Sequence, residues 1–316
     1  MSTFEEENLM EYLENIPFEY RETLNVNPND KFGVEIEFIS SKRRSLDKVY
    51  KIINFKPYEK KVYRLASSKR IVAPKSVEGI HEIKTPVLEN NSKDLMNFKR
   101  VCDGLSKEDI IPGNQKGVHV HVDLSNFMND PYYLKLFLKV FCIYEHIISR
   151  FSYGEEDHSN INYASYSREI SNLLYDFIRN HTFDENFEDL ITDLRHVLNF
   201  KSYALNFHQK DSSCRNETIE FRTFNGTFNP TIIENDANMC LNMVDRIVNN
   251  ELDIDLIDYK FSEYNRGFYK KRSYSKLNME DAIEFSDLIF NYNKDKDYFL
   301  RQYAVKPNPK KKELVI

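Results

Sequence analysis

Three short stretches of the chain alternate apolar and titratable residues with a period of two, the pattern of a half-buried β-strand. They span residues 32–38, 117–123 and 218–224. Apolar residues occupy every second position in the first two stretches, as do Ile219 and Phe221 in the third, so the titratable side chains share the opposite face. The stretches lie far apart in sequence, which favours one domain whose sheet is completed late in the chain.

The polar faces of these predicted strands combine carboxylates, imidazoles and a guanidinium. The residues are Glu35, Glu37, His119, His121, Glu220 and Arg222, and a fourth predicted strand at 80–84 adds Glu82. Carboxylates crowded on one surface raise each other's pKa values and cost stability unless a cation lies among them. Carboxylate-rich sites favour Mg²⁺ or Mn²⁺. The pattern therefore predicts a divalent-cation site, with Arg222 placed to bind a phosphate or carboxylate held by the same ion.

Apolar residues at helical spacing predict the helices. These fall at residues 3–15, 46–53, 92–105, 131–151, 167–180, 184–198, 230–249 and 277–292. Asn229 is expected to cap the 230–249 helix, with Pro230 at its first position. Further strands are predicted at 61–65 and 70–72. His81 is expected to be a core residue, and His208 a surface or structural one.

Composition narrows the classes of protein that the pattern allows. Of 316 residues, 41% are hydrophobic and 30% are charged, which is a globular profile. The net charge of −6 disfavours nonspecific electrostatic binding to nucleic acid. No apolar run is long enough for a bilayer and the N-terminus is acidic, so a cytoplasmic protein without a membrane partner is expected. The four cysteines form no CxxC pair, which argues against a zinc cluster.

Taken in chain order, four motifs resemble the putative amidoligase family, which belongs to the glutamine synthetase-like carboxylate–amine ligases. The motifs are FGVEIEF from Phe32, IHEIKTP from Ile80, GVHVHVD from Gly117 and TIEFRTFNGT from Thr218. The resemblance covers about residues 31–250. It implies an α+β fold in which a curved, largely antiparallel sheet has a concave active-site face and helices on its convex face. Residues 1–30 would be an N-terminal helical extension, and residues 251–316 a C-terminal helical extension with a basic tail, packed on the same domain.

The resemblance also implies an enzyme that uses ATP and Mg²⁺, or Mn²⁺, to form an amide or isopeptide bond through an acyl phosphate. Carried over by motif, Glu35 and Glu37 would divide between two metal ions. Glu82 would join one ion, His119 would bind the other, and Glu220 would be a further ligand. His121 would contact ATP phosphate, Arg222 would stabilise the transferring phosphoryl group, and Lys201 would bind phosphate or a substrate carboxylate. Glu82, Glu220 and Arg222 would thus be the catalytic residues.

The residues leave other functions open. A phosphotransferase on the same fold would stop at the phosphorylated product, and a nucleotide- or metal-binding module would lack catalysis. A metal-dependent hydrolase would use His119, His121 and a glutamate to bind Zn²⁺ or Fe²⁺. For the ligase, the expected partners are small-molecule or peptide carboxylates and amines, with a protein side chain also open. Mutual repulsion of the carboxylates further predicts that removing Glu35 or Glu220 raises the melting temperature of the metal-free protein.

Overall fold

A computed structural model describes most of the chain. The described residues are 3–40, 43–54, 63–69, 79–112, 117–128, 130–152, 170–184, 186–199, 203–208, 217–264 and 277–305. They form an α+β architecture in which one open antiparallel sheet carries helices. Lys201 and the predicted strand at 70–72 lie outside the described residues.

The sheet contains eight strands among the described residues. They are β1 (Lys31–Ser40), β2 (Arg64–Lys69), β3 (Gly79–Lys84), β4 (Leu88–Glu89), β5 (Ile111–Pro112), β6 (Val118–Asp123), β7 (Leu205–His208) and β8 (Thr218–Phe224). Their order is β2-β3-β1-β6-β8-β7, and β4 and β5 pair with β1. Every pairing is antiparallel. The three alternating strands and the strand at 80–84 are confirmed, while β2 continues past its predicted end at residue 65.

The described residues also form ten α-helices and one short 3₁₀ turn at Leu124–Phe127. The helices are α1 (Thr3–Asn15), α2 (Arg43–Ile53), α3 (Ser92–Leu105), α4 (Pro131–Phe151), α5 (Ser171–Asn180), α6 (Phe187–Val197), α7 (Pro230–Val248), α8 (Ile254–Ser262), α9 (Met279–Ile289) and α10 (Asn293–Ala304). The side chain of Asn229 accepts a hydrogen bond from the backbone of Thr231, which confirms the predicted cap of α7.

The helix predicted over 277–292 is confirmed as α9, but it ends earlier than predicted, and the helix α10 that follows it was not predicted. Helix α9 ends at Ile289, and Phe290 and Tyr292 have extended backbone before α10 begins. The first turn of α10 is highly charged, which hid its buried face (Tyr298, Phe299 and Tyr303) from the hydrophobic pattern. Helix α8 was likewise missed because it buries only Ile257 completely.

The apolar face of the sheet packs against α4 and α7. Phe221 on β8 is fully buried, and its ring centroid lies 5.9 Å from that of Phe137 and 6.4 Å from that of Phe141, both on α4. Burying side chains of this size contributes roughly 1.5–3 kcal/mol each. The helices thus take up the apolar face and leave the titratable face for the site. The curvature of the sheet and the glutamine synthetase-like fold stay predictions.

Both ends of the described chain attach to α7 through a buried polar cluster. Nε of Arg21 lies 3.1 Å from Oε1 of Glu234 on α7, and the guanidinium of Arg21 also pairs with Asp295 on α10. The amide of Asn238, one turn further along α7, donates to Asp295 at 3.0 Å. These contacts tie the segments before β1 and after α8 to the sheet-covering helix. The division into residues 1–30, 31–250 and 251–316 stays a prediction.

A bulge in β8 sets the direction of Arg222. Val118 pairs with Phe224 and Val120 pairs with Phe221, so Arg222 and Thr223 together oppose the single residue His119. The extra residue lets Phe221 and Phe224 both enter the core, while Arg222 stays on the polar face beside Glu220. Bulges of this kind often redirect a side chain next to an active site.

Gly117, immediately before β6, allows the backbones of β6 and β8 to approach closely. A Cβ at this position would lie 1.6 Å from the carbonyl oxygen of Phe224. We therefore expect Gly117→Ala to lower the free energy of unfolding by about 3 kcal/mol or more, measured by urea denaturation. Gly33→Ala is the matched control, because its Cβ would meet nothing nearer than His121 Cβ at 3.6 Å. Equal stability of the two variants would show that the close approach is not needed.

Candidate active site

The candidate site lies on the polar face of β3, β1, β6, β8 and β7. Two rows of directly opposed residues cross this face. The first row places Lys84 beside Glu35 and Glu35 beside His119, and the second places His121 beside Glu220 and Glu220 beside Asn206. The sheet therefore brings together five residues predicted from the sequence: Glu35, His119, His121, Glu220 and Arg222.

Glu220 is the buried centre of this cluster, with 1% of its surface exposed. Its Oε1 lies 3.1 Å from Nδ1 of His119 and also pairs with the guanidinium of Arg222. Its Oε2 lies 2.7 Å from Nε2 of His208 and accepts a hydrogen bond of 3.1 Å from the amide of Asn206. Burial opposes the charged form of Glu220, but the contacts with His119 and His208 outweigh burial and hold its pKa well below the usual range.

Glu35 is the second carboxylate of the cluster and is more accessible than Glu220. Its Oε1 lies 2.5 Å from Nζ of Lys84 and 3.4 Å from Nε2 of His121, and its Oε2 lies 3.4 Å from Nδ1 of His119. Burial opposes the charged form here too, but the contacts with His119, His121 and Lys84 together keep the pKa of Glu35 below the usual range. Both carboxylates are therefore negatively charged at neutral pH.

The charges of the cluster are balanced by the protein itself. Lys84 pairs with Glu35, Arg222 pairs with Glu220, and His119 contacts both carboxylates. The expectation that removing a carboxylate raises the melting temperature assumed that the carboxylates repel each other without counter-charges. That premise is wrong. Removing Glu220 would instead leave Arg222 and His119 without their buried counter-charge, which costs stability.

His119 connects the two carboxylates and gives the cluster a pH dependence. Burial alone would lower the pKa of His119, but its contacts with Glu220 and Glu35 raise it to about 9. The pKa in the unfolded chain is about 6.5, so the folded state binds this proton more tightly. The resulting stability is fully present below about pH 6.5 and is lost as the pH rises through about 9.

We therefore expect the free energy of unfolding of the metal-free protein to fall more steeply between pH 6.5 and 9 than that of His119→Gln. The measurement is urea denaturation in chelator at a series of pH values. Subtracting the two curves removes the contributions of all other titrating groups. Parallel curves would mean that His119 is not protonated in the folded, metal-free protein.

Glu35, His121 and Glu220 form a group that fits a divalent cation. One ligand atom from each lies within 4.8 Å of the others, and no other such group occurs among the described residues. Nδ1 of His121 lies 3.2 Å from the hydroxyl of Thr218. Its buried Nε2 lies 3.4 Å from Glu35 and 3.7 Å from Glu220, and it makes no well-formed hydrogen bond to a described residue. Two carboxylates and one imidazole are suitable donors for Mg²⁺ or Mn²⁺.

Glu37 lies two residues from Glu35 along β1 and is directly opposite Glu82 on β3. Glu37 is buried, and Oε1 of Glu82 lies 2.6 Å from Nζ of Lys84. Neither belongs to the three-residue group. The predicted roles of Glu37, Glu82 and His119 as metal ligands stay predictions, as does that of Lys201, which lies outside the described residues.

Three members of the cluster were not assigned to it from the sequence: Lys84, Asn206 and His208. His208, which was expected to be a surface or structural residue, is 33% exposed and hydrogen-bonds Glu220 directly, so it lies within the cluster. The available signal was the alternation of Asn206 and His208 with the buried Leu205 and Phe207. His81 is confirmed as a core residue, with its ring centroid 5.3 Å from that of Phe38 and its pKa lowered by burial.

Comparison with known proteins identifies the family. The sequence profile described as "putative amidoligase enzyme" matches residues 28–244, which include every strand of the sheet. A search of curated proteins found no match to the chain. Among the described helices, none is both long and apolar enough to cross a membrane. Since the profile covers more than half of the chain and contains the whole cluster, the protein belongs to the putative amidoligase family, whose name suggests an amide-bond ligase.

Proposed function

We propose that the protein is an ATP- and Mg²⁺-dependent ligase that joins a carboxylate to an amine through an acyl phosphate. The observation that carries this proposal is the convergence of Glu35, His121 and Glu220 next to Arg222, on one face of the sheet. In ATP-dependent amide synthesis a cation neutralises the triphosphate, and a guanidinium can stabilise the phosphoryl group during its transfer. The cluster offers candidate residues for both.

The cluster suggests a role for each of its residues. Glu35, His121 and Glu220 would hold a divalent ion, which supplies charge neutralisation for the phosphates. Donation of the Nδ1 proton of His121 to Thr218 would leave the lone pair of Nε2 free as a ligand. His119 would orient Glu35 and Glu220, since its Nδ1 lies 3.1 Å from Glu220 and 3.4 Å from Glu35. This proposal makes His121 the metal ligand and His119 an orienting residue, whereas the family resemblance implies that His119 is a ligand and that His121 contacts ATP phosphate.

Arg222 would bind the transferring phosphoryl group. Its guanidinium pairs with Glu220 through Nη1, and Nη1 also lies 3.4 Å from Nδ1 of His119. This pairing holds the planar group in place on the polar face, next to the proposed ion. Phosphoryl transfer depends mainly on such positioning and on charge stabilisation.

The proposed reaction has two steps. An oxygen of the substrate carboxylate attacks the γ-phosphorus of ATP, the bond to the β-phosphate oxygen breaks, and ADP leaves. The amine nitrogen then attacks the acyl carbon of the acyl phosphate, inorganic phosphate leaves, and the nitrogen loses a proton. The substrates proposed are small molecules or peptides that carry the carboxylate and the amine.

Trapping with hydroxylamine tests this reaction even when the natural amine is not identified, because hydroxylamine takes the place of the amine. Purified protein is incubated with Mg²⁺, ATP, hydroxylamine and pools of amino acids or dipeptides, and hydroxamates are detected with Fe³⁺. We expect hydroxamate and ADP in equal amounts, only with both Mg²⁺ and ATP present, and neither product with Glu35→Ala. ADP release that never depends on an amine would support a phosphotransferase instead. Stoichiometric zinc or iron in protein purified without chelator would support a hydrolase.

A further inference from the structure

The family resemblance implies two metal ions. In the described cluster, however, the positively charged side chain of Lys84 already lies between two of the implied ligands, Glu35 and Glu82. Lys84 lies directly opposite Glu35 on the neighbouring strand, and Glu82 is on the same face two residues earlier. Nζ of Lys84 lies 2.5 Å from Oε1 of Glu35 and 2.6 Å from Oε1 of Glu82. The ammonium thus bridges two carboxylates from adjacent strands, as a divalent ion shared between them would.

We propose that the ammonium of Lys84 takes the place of a second divalent cation, so that the site binds one divalent ion and not two. This inference rests on the proposed function, because the number of ions has meaning only if an ion binds. An ion bound to the same oxygens of Glu35 and Glu82 would need distances of about 2.0–2.2 Å to each. Nζ occupies that space, and two cations so close together would repel each other.

The two halves of the cluster differ in the atoms that they offer to an ion. On the side of β6 and β8, the imidazole nitrogen Nε2 of His121 faces the carboxylates of Glu35 and Glu220. On the side of β3, a side chain with three donor protons and no acceptor faces Glu35 and Glu82. The first side offers three ligand atoms that lie within 4.8 Å of one another, whereas on the second side an ammonium already lies between the carboxylate oxygens. We therefore place the single divalent ion on the β6 and β8 side.

We expect the fold to tolerate replacement of Lys84, which makes the inference testable. Its side chain is 44% exposed, so water screens its ion pairs and they contribute little to folding stability. Its loss would remove the ammonium and leave Glu35, Glu82 and the neighbouring Glu37 facing one another. We expect these carboxylates to bind a second divalent ion in the variant.

The test counts Mn²⁺ ions bound by the full chain without nucleotide, from the electron paramagnetic resonance signal of free Mn²⁺. We expect one ion per chain in the wild type, two in Lys84→Met, and one in Lys84→Arg, which keeps the positive charge. Lys48→Met is the matched control and should bind one ion, since Lys48 forms a 2.7 Å ion pair with Glu108 and is half exposed. Glu82→Gln should also bind one ion.

Each contrary outcome has a distinct meaning. Two ions in the wild type, or one ion in a folded Lys84→Met variant, would overturn the inference and leave the proposed function standing. Absence of Mn²⁺ binding to the wild type would overturn the proposed metal site itself. Loss of the bound ion in Glu82→Gln would make Glu82 a ligand and would also overturn the inference.

Discussion

Glu220→Gln is expected to abolish Mg²⁺-dependent ADP release and to destabilise the metal-free protein by roughly 3 to 5 kcal/mol. Glu220 is almost completely buried and accepts contacts from His119, His208, Asn206 and Arg222. Glutamine has nearly the same shape, but it carries no charge and turns one acceptor into a donor. The partly exposed Arg222 would then lose its counter-charge, and the buried His119 would keep only its contact with Glu35. Urea denaturation and an ADP-release assay measure the two effects.

Glu263→Gln is the control for this substitution, because Glu263 is exposed at the end of α8, away from the polar face. Its stability should stay within about 0.5 kcal/mol of the wild type. If Glu220→Gln were equally harmless to stability, the buried charge cluster would not be the organising feature of this face. If it destabilised the protein but left ADP release intact, Glu220 would be structural and not a ligand.

Arg222→Lys is expected to lower kcat/KM for ATP by about a factor of 10³, the lower end of the effects known for arginines that stabilise phosphoryl transfer. Lysine keeps the positive charge near Glu220, so the stability should change much less than in Glu220→Gln. It loses the planar, forked donor geometry that matches a phosphoryl group. If Arg222→Lys has near-normal stability and a much lower kcat/KM, Arg222 binds the phosphoryl group in addition to balancing the charge of Glu220.

Arg179→Lys on α5 provides the kinetic control, since the guanidinium of Arg179 contacts only the neighbouring Tyr175 among the contacts described for it. It should leave kcat/KM unchanged. An Arg222→Lys variant as active as this control would contradict a role for Arg222 in phosphoryl transfer. Arg222→Lys and Arg179→Lys make the same chemical change at two positions, so a difference in their kcat/KM reports the position of the arginine.

The sequence was sufficient to predict the strands that hold the site, because one face of each is buried. Valines on β6 and Ile219 with Phe221 on β8 are driven into the core, and period-two geometry then places His119, His121 and Glu220 on the other face. This reasoning holds for each strand separately. It explains why the carboxylates and imidazoles could be named from sequence alone.

The residues that lie beside each other on adjacent strands could not be predicted in this way, because they depend on strand order and register. That Lys84 lies opposite Glu35, and that His208 reaches Glu220, follows from the pairing of β3 with β1 and of β7 with β8. The bulge at Arg222 and Thr223 was also not predicted, although Phe224 is out of phase with Ile219 and Phe221. The charge balance of the cluster was misjudged for this reason: the carboxylates were visible in the motifs, but their counter-charges come from other strands.

A crystal structure with Mn²⁺ and a non-hydrolysable ATP analogue, with the metal located by its anomalous scattering, tests the central claim most directly. We predict a Mn²⁺ peak enclosed by Glu35, His121 and Glu220, with the triphosphate extending toward Arg222. A nucleotide bound elsewhere, or a metal peak that none of these three residues contacts, would contradict the account.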